Sequence, residues 1–543
     1  MNFAAQFLYS HYKNNGNPRE AGGSDSEEYD PFWQSEEQPS SACQNDPSLH
    51  EGQCKKNGPI RNGCGPSRPT PINPERLKDF GEEEYLNGDV KTWEMKIVGR
   101  PEPLLGNPVE KQPKAVRRPS VKPPAEFIRF EDISAAAFKI QSGVQKTPCT
   151  YSRLSKQYGM EIFLKKEHLH YTGTVKERGV LYLLTSLRQE QQKKGVIVAS
   201  DNNFSMAVAH HACELRIPVF VIMAASSSPV RLRMCRDYGA MVISYGSTPR
   251  DSQSHARRLA QENGYVYLDE EDTAIYLAGL GTVGLEVFEQ VPKLDAVVVP
   301  AGGHCGLLAG TAAALKHLNH SITVIGVEPE EFPLLQQSLK IDYPVKELAS
   351  APNRKLYGDL VSPPFGNNAF QLAKKLVDKV ITVSEEDALV SMLRFQEYER
   401  ATVDTEGAIG LAAILAGKLE ELKGKRVAVV VTSANMELGL MRQCVERALV
   451  LDERVSKFTV QLGEWPGEMA KLLDLLARED VRLLDISHDR GSSAADLFNV
   501  QPDLSVCLVS QVSCVVETRD KSQTTQLRNA LSERYATLHW HER

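Results

Sequence analysis

Six short, continuous runs of apolar and mostly β-branched residues constrain the fold of this chain more than any other feature. Segments with a helical pattern separate the runs. An apolar run without polar alternation is typical of a strand buried on both faces, as in a parallel sheet covered by helices. The sequence therefore predicts an α/β fold with mostly parallel, doubly wound sheets. The runs are 196–199, 219–222, 241–243, 296–299, 323–327 and 427–431.

Lys176 stands between Gly173 and Gly179 at the start of an apolar-periodic segment that predicts a buried helix. A lysine in this position lies near the positive end of the helix dipole and in a low dielectric, and both favour its neutral amine. A neutral lysine amine can form a Schiff base with an aldehyde cofactor. The alternative is a surface lysine in a turn bounded by glycines.

The stretch 171–180, with 164–169 before it, resembles the lysine motif of pyridoxal-phosphate enzymes of the tryptophan-synthase-β fold. It is most similar to the serine/threonine dehydratases and serine racemases, whose pattern is Thr-Gly-Ser-Phe-Lys-x-Arg-Gly. Thr174 replaces the serine and Val175 the phenylalanine. The resemblance implies that Lys176 holds the cofactor, pyridoxal 5′-phosphate. The matching residues are Thr172, Gly173, Lys176, Arg178 and Gly179.

A polar stretch after the first of the six runs resembles the family's Ser-x-Gly-Asn-His motif, which binds the substrate carboxylate on backbone N–H groups. Ser200 and Asn203 match, whereas Asn202 replaces the glycine and Phe204 the histidine. The resemblance implies substrate binding by Ser200, Asp201 and Asn202, and a hydrogen bond from Asn203 to the cofactor. A carboxylate at Asp201 would repel a substrate carboxylate unless it is protonated or turned away. A helix N-cap without a ligand is the alternative.

The glycine turn that follows the run 296–299 resembles the phosphate-binding loop of the same family. Glycines after a strand let backbone amides converge on a phosphate, because no Cβ blocks the approach. The family has four consecutive glycines, whereas His304 and Cys305 interrupt them here. The resemblance implies phosphate binding through Gly302, Gly303 and Gly306. His304 either adds a donor to the phosphate or plugs the loop.

Four further segments carry the resemblance. Residues 279–282 resemble the family's Gly-Gln-Gly-Thr, and 405–408 its Glu-Gly/Pro-Ala. Residues 432–435 replace Ser-Gly-Gly-Asn, so Thr432, with Ser433 as a second candidate, would face the pyridine nitrogen of the cofactor. Glu328 matches the first of two carboxylates that hold a divalent cation in racemase-like members. No second ligand can be assigned, so we predict no metal site.

Three regions differ in composition. Residues 1–125 are poor in aliphatic residues and rich in Asn, Ser, Pro, Gly and Glu, which predicts a largely disordered extension. Residues 126–451 carry the cofactor motifs. Residues 456–541 have a strand–helix–strand–strand–helix pattern that resembles the ACT regulatory module, which implies an allosteric amino-acid effector and a homo-oligomer.

Composition and charge limit the remaining possibilities. A net charge of −7 without a long basic run argues against a nucleic-acid partner. No apolar run is long enough to cross a bilayer, and the ten cysteines form no C-x-x-C pair. We therefore expect a cytoplasmic protein with reduced thiols and no membrane partner.

Together the motifs imply a lyase of amino acid catabolism that converts L-threonine or L-serine to a 2-oxo acid and ammonia. Two alternatives remain. One is serine racemisation, with Asp201 as a base on the second face of the substrate. The other is a catalytically decayed relative that senses amino acids or binds a partner, because Asn202, Phe204 and the interrupted glycine turn all depart from the family pattern.

Overall fold

The computed structural model describes residues 128–270, 272–345, 356, 365–463, 465–489 and 510–541. The predicted disordered extension, residues 1–125, lies outside these ranges. The predicted mostly parallel α/β fold is confirmed, and each of the six apolar runs lies within or largely within a strand. Among the described residues, no helix combines the length and apolar character that crossing a bilayer requires.

A six-stranded sheet forms the centre of the fold, in the order β1-β2-β10-β7-β8-β9. All neighbouring strands are parallel except β1 and β2. Alternate residues of β10 belong to different hydrophobic cores, with Val427 and Val429 on one face and Ala428 and Val430 on the other. Both faces are therefore buried, which explains the continuous apolar runs. The strands are β1 Cys149–Tyr151, β2 Glu161–Lys166, β7 Ala296–Pro300, β8 Thr323–Pro329, β9 Lys379–Val383 and β10 Arg426–Val431.

A smaller, fully parallel sheet has the order β5-β4-β3-β6. Ile197 and Phe220 face one core, and Val196 and Val219 face another, so this sheet is also covered on both sides. Its strands are β3 Val196–Val198, β4 Val219–Met223, β5 Met241–Ser244 and β6 Val266–Leu268.

Helices cover both sheets, and α8 packs against α1, α3 and α9. A π-helical turn, Phe395–Glu399, follows α12. The helices are α1 Phe130–Ile140, α2 Ser155–Tyr158, α3 Lys176–Ser186, α4 Gln189–Lys194, α5 Asn203–Glu214, α6 Pro229–Asp237, α7 Pro249–Asn263, α8 Ala274–Gln290, α9 Gly306–Leu318, α10 Leu334–Ile341, α11 Asn367–Leu376, α12 Glu385–Arg394, α13 Thr405–Leu415 and α14 Leu438–Leu451.

The C-terminal unit is a four-stranded antiparallel sheet in the order β12-β13-β11-β14, with two helices. Its buried residues, among them Phe458, Leu472 and Leu527, form a core of their own. The β-α-β-β-α-β order is that of a split βαβ unit; assignment to the ACT module stays a prediction. Its elements are β11 Val455–Leu462, α15 Pro466–Arg478, β12 Arg482–Asp489, β13 Ser510–Glu517, α16 Lys521–Arg534 and β14 His539–Trp540.

Candidate functional site

Lys176 is the first residue of α3 and is 5% exposed. The backbone N–H of Val175 donates to the Thr432 carbonyl at 2.9 Å, and Thr174 forms an isolated β-bridge with Ser433. These contacts fix the start of α3 against the end of β10. The lysine therefore lies at the carboxyl edge of the large sheet, where ligands of parallel α/β folds bind.

A buried carboxylate that the sequence analysis did not identify contacts this lysine. Glu270, which is 7% exposed, accepts a hydrogen bond from Lys176 Nζ on its Oε2 at 2.9 Å. Asn202 Nδ2 donates to the same oxygen at 3.3 Å, and the Tyr276 hydroxyl donates to Oε1 at 3.2 Å. A carboxylate at this distance favours the ammonium form of the lysine, and so opposes the burial and the helix dipole.

A signal for Glu270 was present in the sequence. It follows β6 by two residues, in the acidic segment 269–272, and thus lies at the carboxyl edge of the smaller sheet. The strand β6, Val266–Leu268, is not among the six apolar runs of the sequence. Recognising the strand would have placed an acidic side chain at the edge where ligands bind.

Asn202, predicted to bind the substrate, is the N-cap of α5. Its Oδ1 accepts from the backbone N–H groups of Phe204 and Ser205 at 3.1 and 3.3 Å, and from the Ser200 hydroxyl at 2.9 Å. The N-cap alternative thus describes what the side chain of Asn202 does in this structure. Its amide nitrogen still reaches Glu270, so the same residue contacts the carboxylate beside Lys176.

Asp201 points away from the lysine. Its Oδ2 accepts from the backbone N–H of Ser228 at 3.2 Å, and its Oδ1 lies 3.9 Å from Arg231 Nη1. The side chain is 30% exposed. A carboxylate at this position is compatible with substrate binding if it is protonated or turned away from the substrate. In the structure, the Asp201 carboxylate is turned toward Ser228 and Arg231.

Asn203 is fully buried, and its Oδ1 accepts from Asn435 Nδ2 at 2.9 Å. Asn435 Nδ2 also donates to the Thr172 carbonyl at 2.7 Å. Gly173 has a φ of +73°, and a Cβ there would lie 2.6 Å from Asn435 Oδ1. The glycine of the lysine motif is therefore required both by its backbone conformation and by the close approach of Asn435.

The glycine turn between β7 and α9 contains the buried ring of His304. The Gly306 N–H donates to His304 Nδ1 at 2.9 Å, so Nε2 carries the proton of the neutral ring. That Nε2 is buried, has no hydrogen-bond partner among the described residues, and lies 3.7 Å from Glu270 Oε1. Burial and the nearby Lys176 lower the pKa of His304 to about 3, so the ring is neutral near pH 7.

The backbone of this turn keeps a conformation suited to glycine. Gly303 has a φ of +55°, and Cys305, the N-cap of α9, has a φ of +65°. The Cys305 N–H donates to the Gly302 carbonyl at 2.9 Å. A Cβ at Gly306 would lie 2.2 Å from His304 Cε1, so the histidine occupies the space that glycine leaves open.

Two adjacent hydroxyls end β10, and their surroundings differ. The Ser433 hydroxyl donates to Asp404 Oδ1 at 2.7 Å. Thr432 Oγ1 is buried and has no hydrogen-bond partner in the part of the chain that the structure describes. A buried hydroxyl is normally paired, so of the two candidates Thr432 is the one available to a ring nitrogen of a bound cofactor.

Arg178, the third residue of α3, lies in a network of buried charges behind the lysine. It donates to Glu167 at 2.7 and 2.9 Å and to Glu286 at 2.7 and 2.8 Å. Lys165 Nζ donates to Glu286 at 2.5 Å. Burial alone would raise the pKa of Glu167, but Arg178 and His170 hold it well below its usual range. This network ties α3, β2 and α8 together beneath the site.

Glu328 matches a cation-binding carboxylate of racemase-like proteins. It is 1% exposed and accepts from the backbone N–H groups of Leu335 and Gln336 at 2.6 and 3.0 Å. Burial raises its pKa to about 7. In the described ranges, no group of three or more His, Cys, Asp or Glu side chains is arranged to hold a metal ion.

Comparison with known proteins gives concordant matches. Residues 140–433 match the family described as "Pyridoxal-phosphate dependent enzyme". The chain is 32% identical over 386 residues to an L-threonine ammonia-lyase of Thermotoga maritima, covering 71% of this chain and 95% of that protein. It is 32% identical over 316 residues to a serine racemase of Schizosaccharomyces pombe, covering 57% of this chain and 94% of that protein. A crystal structure of a T.th. threonine deaminase superposes with a TM-score of 0.53 at 31% identity, covering 57% of this chain and 99% of that one.

Proposed function

Because the chain belongs to the pyridoxal-phosphate dependent enzyme family, we propose that it is an ammonia-lyase acting on L-threonine or L-serine. The observation that carries the proposal is the buried Lys176 at the start of α3, with Asn203 and Thr432 at the adjoining strand ends. The reaction would release a 2-oxo acid and ammonia: 2-oxobutanoate from threonine, and pyruvate from serine.

The residues present fit the cofactor of the family. Thr432 Oγ1 is a buried hydroxyl without a partner among the described residues, as a ring nitrogen would require. At the other end, His304 Nε2 is a buried donor without a hydrogen-bond partner in the same ranges, in a turn whose glycines suit a phosphate. We propose that Gly302, Gly303, His304 and Gly306 hold the phosphate, and that Asn203 and Thr432 hold the ring.

When bound, the cofactor stabilises the electron pair left on the α-carbon of the substrate after its proton is removed. The chain supplies the acid–base groups and the orientation. Lys176 Nζ binds the cofactor and, once released by the substrate amine, accepts the α-proton. Thr432 offers a neutral hydroxyl to the ring, which suits β-elimination, whereas a carboxylate there would suit aminotransferase-like chemistry.

We propose that the segment Ser200–Asn203 binds the substrate carboxylate at the N-terminus of α5, where helix amides attract anions. Asn202 Oδ1 already accepts from two of these amides, Phe204 N–H and Ser205 N–H. A substrate carboxylate would therefore either displace the Asn202 side-chain oxygen from these two amides or bind to the backbone amides that precede them in the chain. The preference for hydroxy amino acids rests on the activities named for the similar proteins.

The test is turnover by the full-length chain loaded with pyridoxal phosphate. We expect 2-oxobutanoate from L-threonine or pyruvate from L-serine, together with a visible absorption band of bound cofactor that changes when substrate is added. Lys176→Ala should lose both the band and the turnover. Undiminished 2-oxobutanoate release by Lys176→Ala would contradict the proposal.

Racemisation is the second candidate, since the chain also resembles a serine racemase. It needs a base on the opposite face of the substrate, for which the sequence offered Asp201. The contacts of Asp201 with Ser228 and Arg231 argue against that role. Formation of D-serine from L-serine at a rate comparable with pyruvate release would favour the racemase.

We further propose that the C-terminal unit regulates the site by binding an amino-acid effector. An ion-pair cluster holds the linker between α14 and β11 against the larger unit: Arg454 pairs with Glu397 of the π-helical turn, and Arg394 pairs with Asp452 at 2.5 Å. Thr518 N–H also donates to the Arg454 carbonyl at 2.8 Å. If a chain ending at Leu451 folds and shows the same response to substrate and to added amino acids, this regulatory role is wrong.

We propose a homo-oligomer in the cytoplasm. Among the described residues, β12 is an edge strand of its sheet and exposes Leu484 and Ile486, which favours pairing with another copy. The six cysteines of the described ranges are all free thiols, as expected in a reducing compartment. Light scattering of the purified chain would contradict the oligomer if it gave the mass of a monomer.

A further inference from the structure

We propose that Glu270 is a second catalytic acid–base group of this site, which supplies the proton that a departing β-hydroxyl requires. The inference rests on the proposed β-elimination. It assigns a role to Glu270, which none of the family motifs includes. Loss of hydroxide from carbon is difficult unless the oxygen is protonated as it leaves, and a positioned side chain can supply that proton.

The geometry places Glu270 on the reacting nitrogen itself. Its Oε2 lies 2.9 Å from Lys176 Nζ, within the range for direct proton transfer. Both side chains are almost fully buried, at 7% for Lys176 and 6% for Glu270, so little bulk water is available to carry a proton between them. The carboxylate is thus positioned to exchange a proton directly with the base that takes the α-proton.

Among the described residues, groups from four elements lie around Glu270, and Lys176, Asn202 and Tyr276 donate hydrogen bonds to it. Lys176 begins α3, Asn202 caps α5, Tyr276 belongs to α8, and His304 lies in the turn before α9. His304 is neutral near pH 7, because burial and Lys176 lower its pKa to about 3. Glu270 thus faces the Lys176 amine at hydrogen-bond distance, and Asn202 and Tyr276 are neutral donors to it.

The nearby Asp272 has other partners. Its side chain accepts from the backbone N–H groups of Asn368 and of Ala369, the latter at 2.9 Å. Asp272 is thus engaged in capping α11. Glu270, two residues earlier in the chain, contacts Lys176 Nζ.

Proton exchange between Lys176 and Glu270 accounts for the elimination, because the α-proton taken by Lys176 replaces the proton that Glu270 gives to the leaving oxygen. Before Lys176 can bind an aldehyde, its ammonium must lose a proton, and Glu270 Oε2 is the adjacent acceptor. During turnover the free Lys176 amine removes the α-proton, and the C–H electron pair forms the new Cα–Cβ double bond as the Cβ–O bond breaks. The protonated Glu270 gives its proton to the departing oxygen, which leaves as water. The Lys176 ammonium then returns a proton to Glu270, and both groups are restored.

The first experiment compares two leaving groups on the loaded, full-length protein. L-Serine loses hydroxide, which needs a proton, whereas β-chloro-L-alanine loses chloride, which does not; both give pyruvate. We expect Glu270→Gln, which keeps the size and polarity of the side chain, to lower kcat for serine about 100-fold or more. Its kcat for β-chloro-L-alanine should stay within about threefold of the wild type. The comparison variant Tyr276→Phe removes one donor to Glu270 but keeps the carboxylate, so it should lower kcat for serine less than Glu270→Gln does.

The second experiment uses the full-length chain without cofactor and needs no turnover. Labelling of Lys176 by an amine-selective reagent, followed by mass spectrometry across pH, reports the fraction of free amine. Loss of the neighbouring carboxylate should shift the midpoint of labelling in Glu270→Gln to lower pH by about 1 to 3 units. Tyr276→Phe, which keeps the carboxylate, should shift the midpoint less than Glu270→Gln does.

The outcomes separate this inference from the proposed function. Equal loss on both substrates in Glu270→Gln, or full serine turnover by that variant, would overturn the role of Glu270 while leaving the lyase in place. If the wild type turns over neither substrate, the proposed lyase fails. The labelling experiment then decides alone, and an unchanged midpoint in Glu270→Gln would overturn the proton exchange between Glu270 and Lys176.

Discussion

Replacing Arg178 by methionine should destabilise the larger unit by about 3–5 kcal/mol, the typical result of removing one partner from a buried ion pair. Arg178 is 1% exposed and makes four hydrogen bonds of 2.7–2.9 Å to two carboxylates. The Glu167 side chain is fully buried and that of Glu286 is 18% exposed. Without Arg178, the two carboxylates retain Lys165 as the nearby lysine, at 3.7 and 2.5 Å. The penalty arises from the excess buried negative charge.

A second substitution tests this origin. Glu167→Gln in the Arg178→Met background removes the excess charge and leaves the Lys165–Glu286 pair. The double variant should therefore be less destabilised than the sum of the single variants, with a coupling free energy of about 1–3 kcal/mol. Additive effects, or a loss below about 1 kcal/mol in Arg178→Met, would refute the reasoning.

The assay is urea unfolding followed by far-ultraviolet circular dichroism. Tryptophan fluorescence is unsuitable, because residues 128–464 contain no tryptophan, whereas Trp465 and Trp540 lie in the C-terminal unit. The pH dependence supplies an independent check. Since Arg178 and His170 hold the pKa of Glu167 below its usual 4.5, the charged carboxylate stabilises the fold above pH 4.5, and this contribution is lost as the pH falls further. Arg178→Met should weaken that dependence.

Two further predictions concern packing and titration. Gly179→Ala should destabilise the fold by about 1–3 kcal/mol, since its Cβ would lie 2.4 Å from Tyr276 Cε2; the matched control Gly439→Ala, in α14 with open space around it, should be neutral or stabilising by about 0.5–1 kcal/mol. Equal urea midpoints for the two variants would contradict the packing argument. Because burial raises the pKa of Glu328 from 4.5 to about 7, its favourable contribution is complete below pH 4.5 and is lost as the pH rises through 7, by about 3 kcal/mol. Glu328→Gln should flatten the wild-type decline in unfolding free energy over that range, and parallel pH profiles would count against it.

The fold was predictable because its central strands are buried on both faces. The run Val427–Val431 has no polar residue, and the structure places it in the middle of the large sheet. Strands that contain charged residues are harder to recognise in the sequence. β2 ends in two lysines, and the buried Lys165 donates to Glu286 and Gln290 of α8. Such a partner lies more than a hundred residues away, so the local sequence cannot show that the lysine belongs to a strand.

The site was predictable in part for a related reason. Lys176, Asn203 and Thr432 each begin a helix or end a strand, so the α/β pattern alone brings them to one edge. The side-chain contacts within that edge were not predictable. Asn202 uses its side chain to cap α5, and Asp201 contacts Ser228 and Arg231. The contact of Glu270 with Lys176 depends on the packing of two sheets, which no motif records.

The departures from the family pattern bear on the possibility of a decayed enzyme. Random loss of function would scatter substitutions without regard to their contacts. In this structure the substituted residues Asn202, Phe204 and His304 each contact Glu270 or Tyr276. Asn202 donates to Glu270. The ring of Tyr276 lies edge-on to Phe204, with ring centroids 5.7 Å apart, and to His304, with centroids 5.4 Å apart. Tyr276 also donates to Glu270, which contacts Lys176.

Asn202, Phe204 and His304 therefore belong to one connected cluster around Tyr276 and Glu270, and Glu270 contacts Lys176. Burying a carboxylate costs free energy unless it is paired and hydrogen-bonded, and of these three residues Asn202 supplies a donor to Glu270. Phe204 and His304 pack against Tyr276, which supplies another. The altered motifs are thus better explained by a changed acid–base environment at Lys176 than by loss of the site.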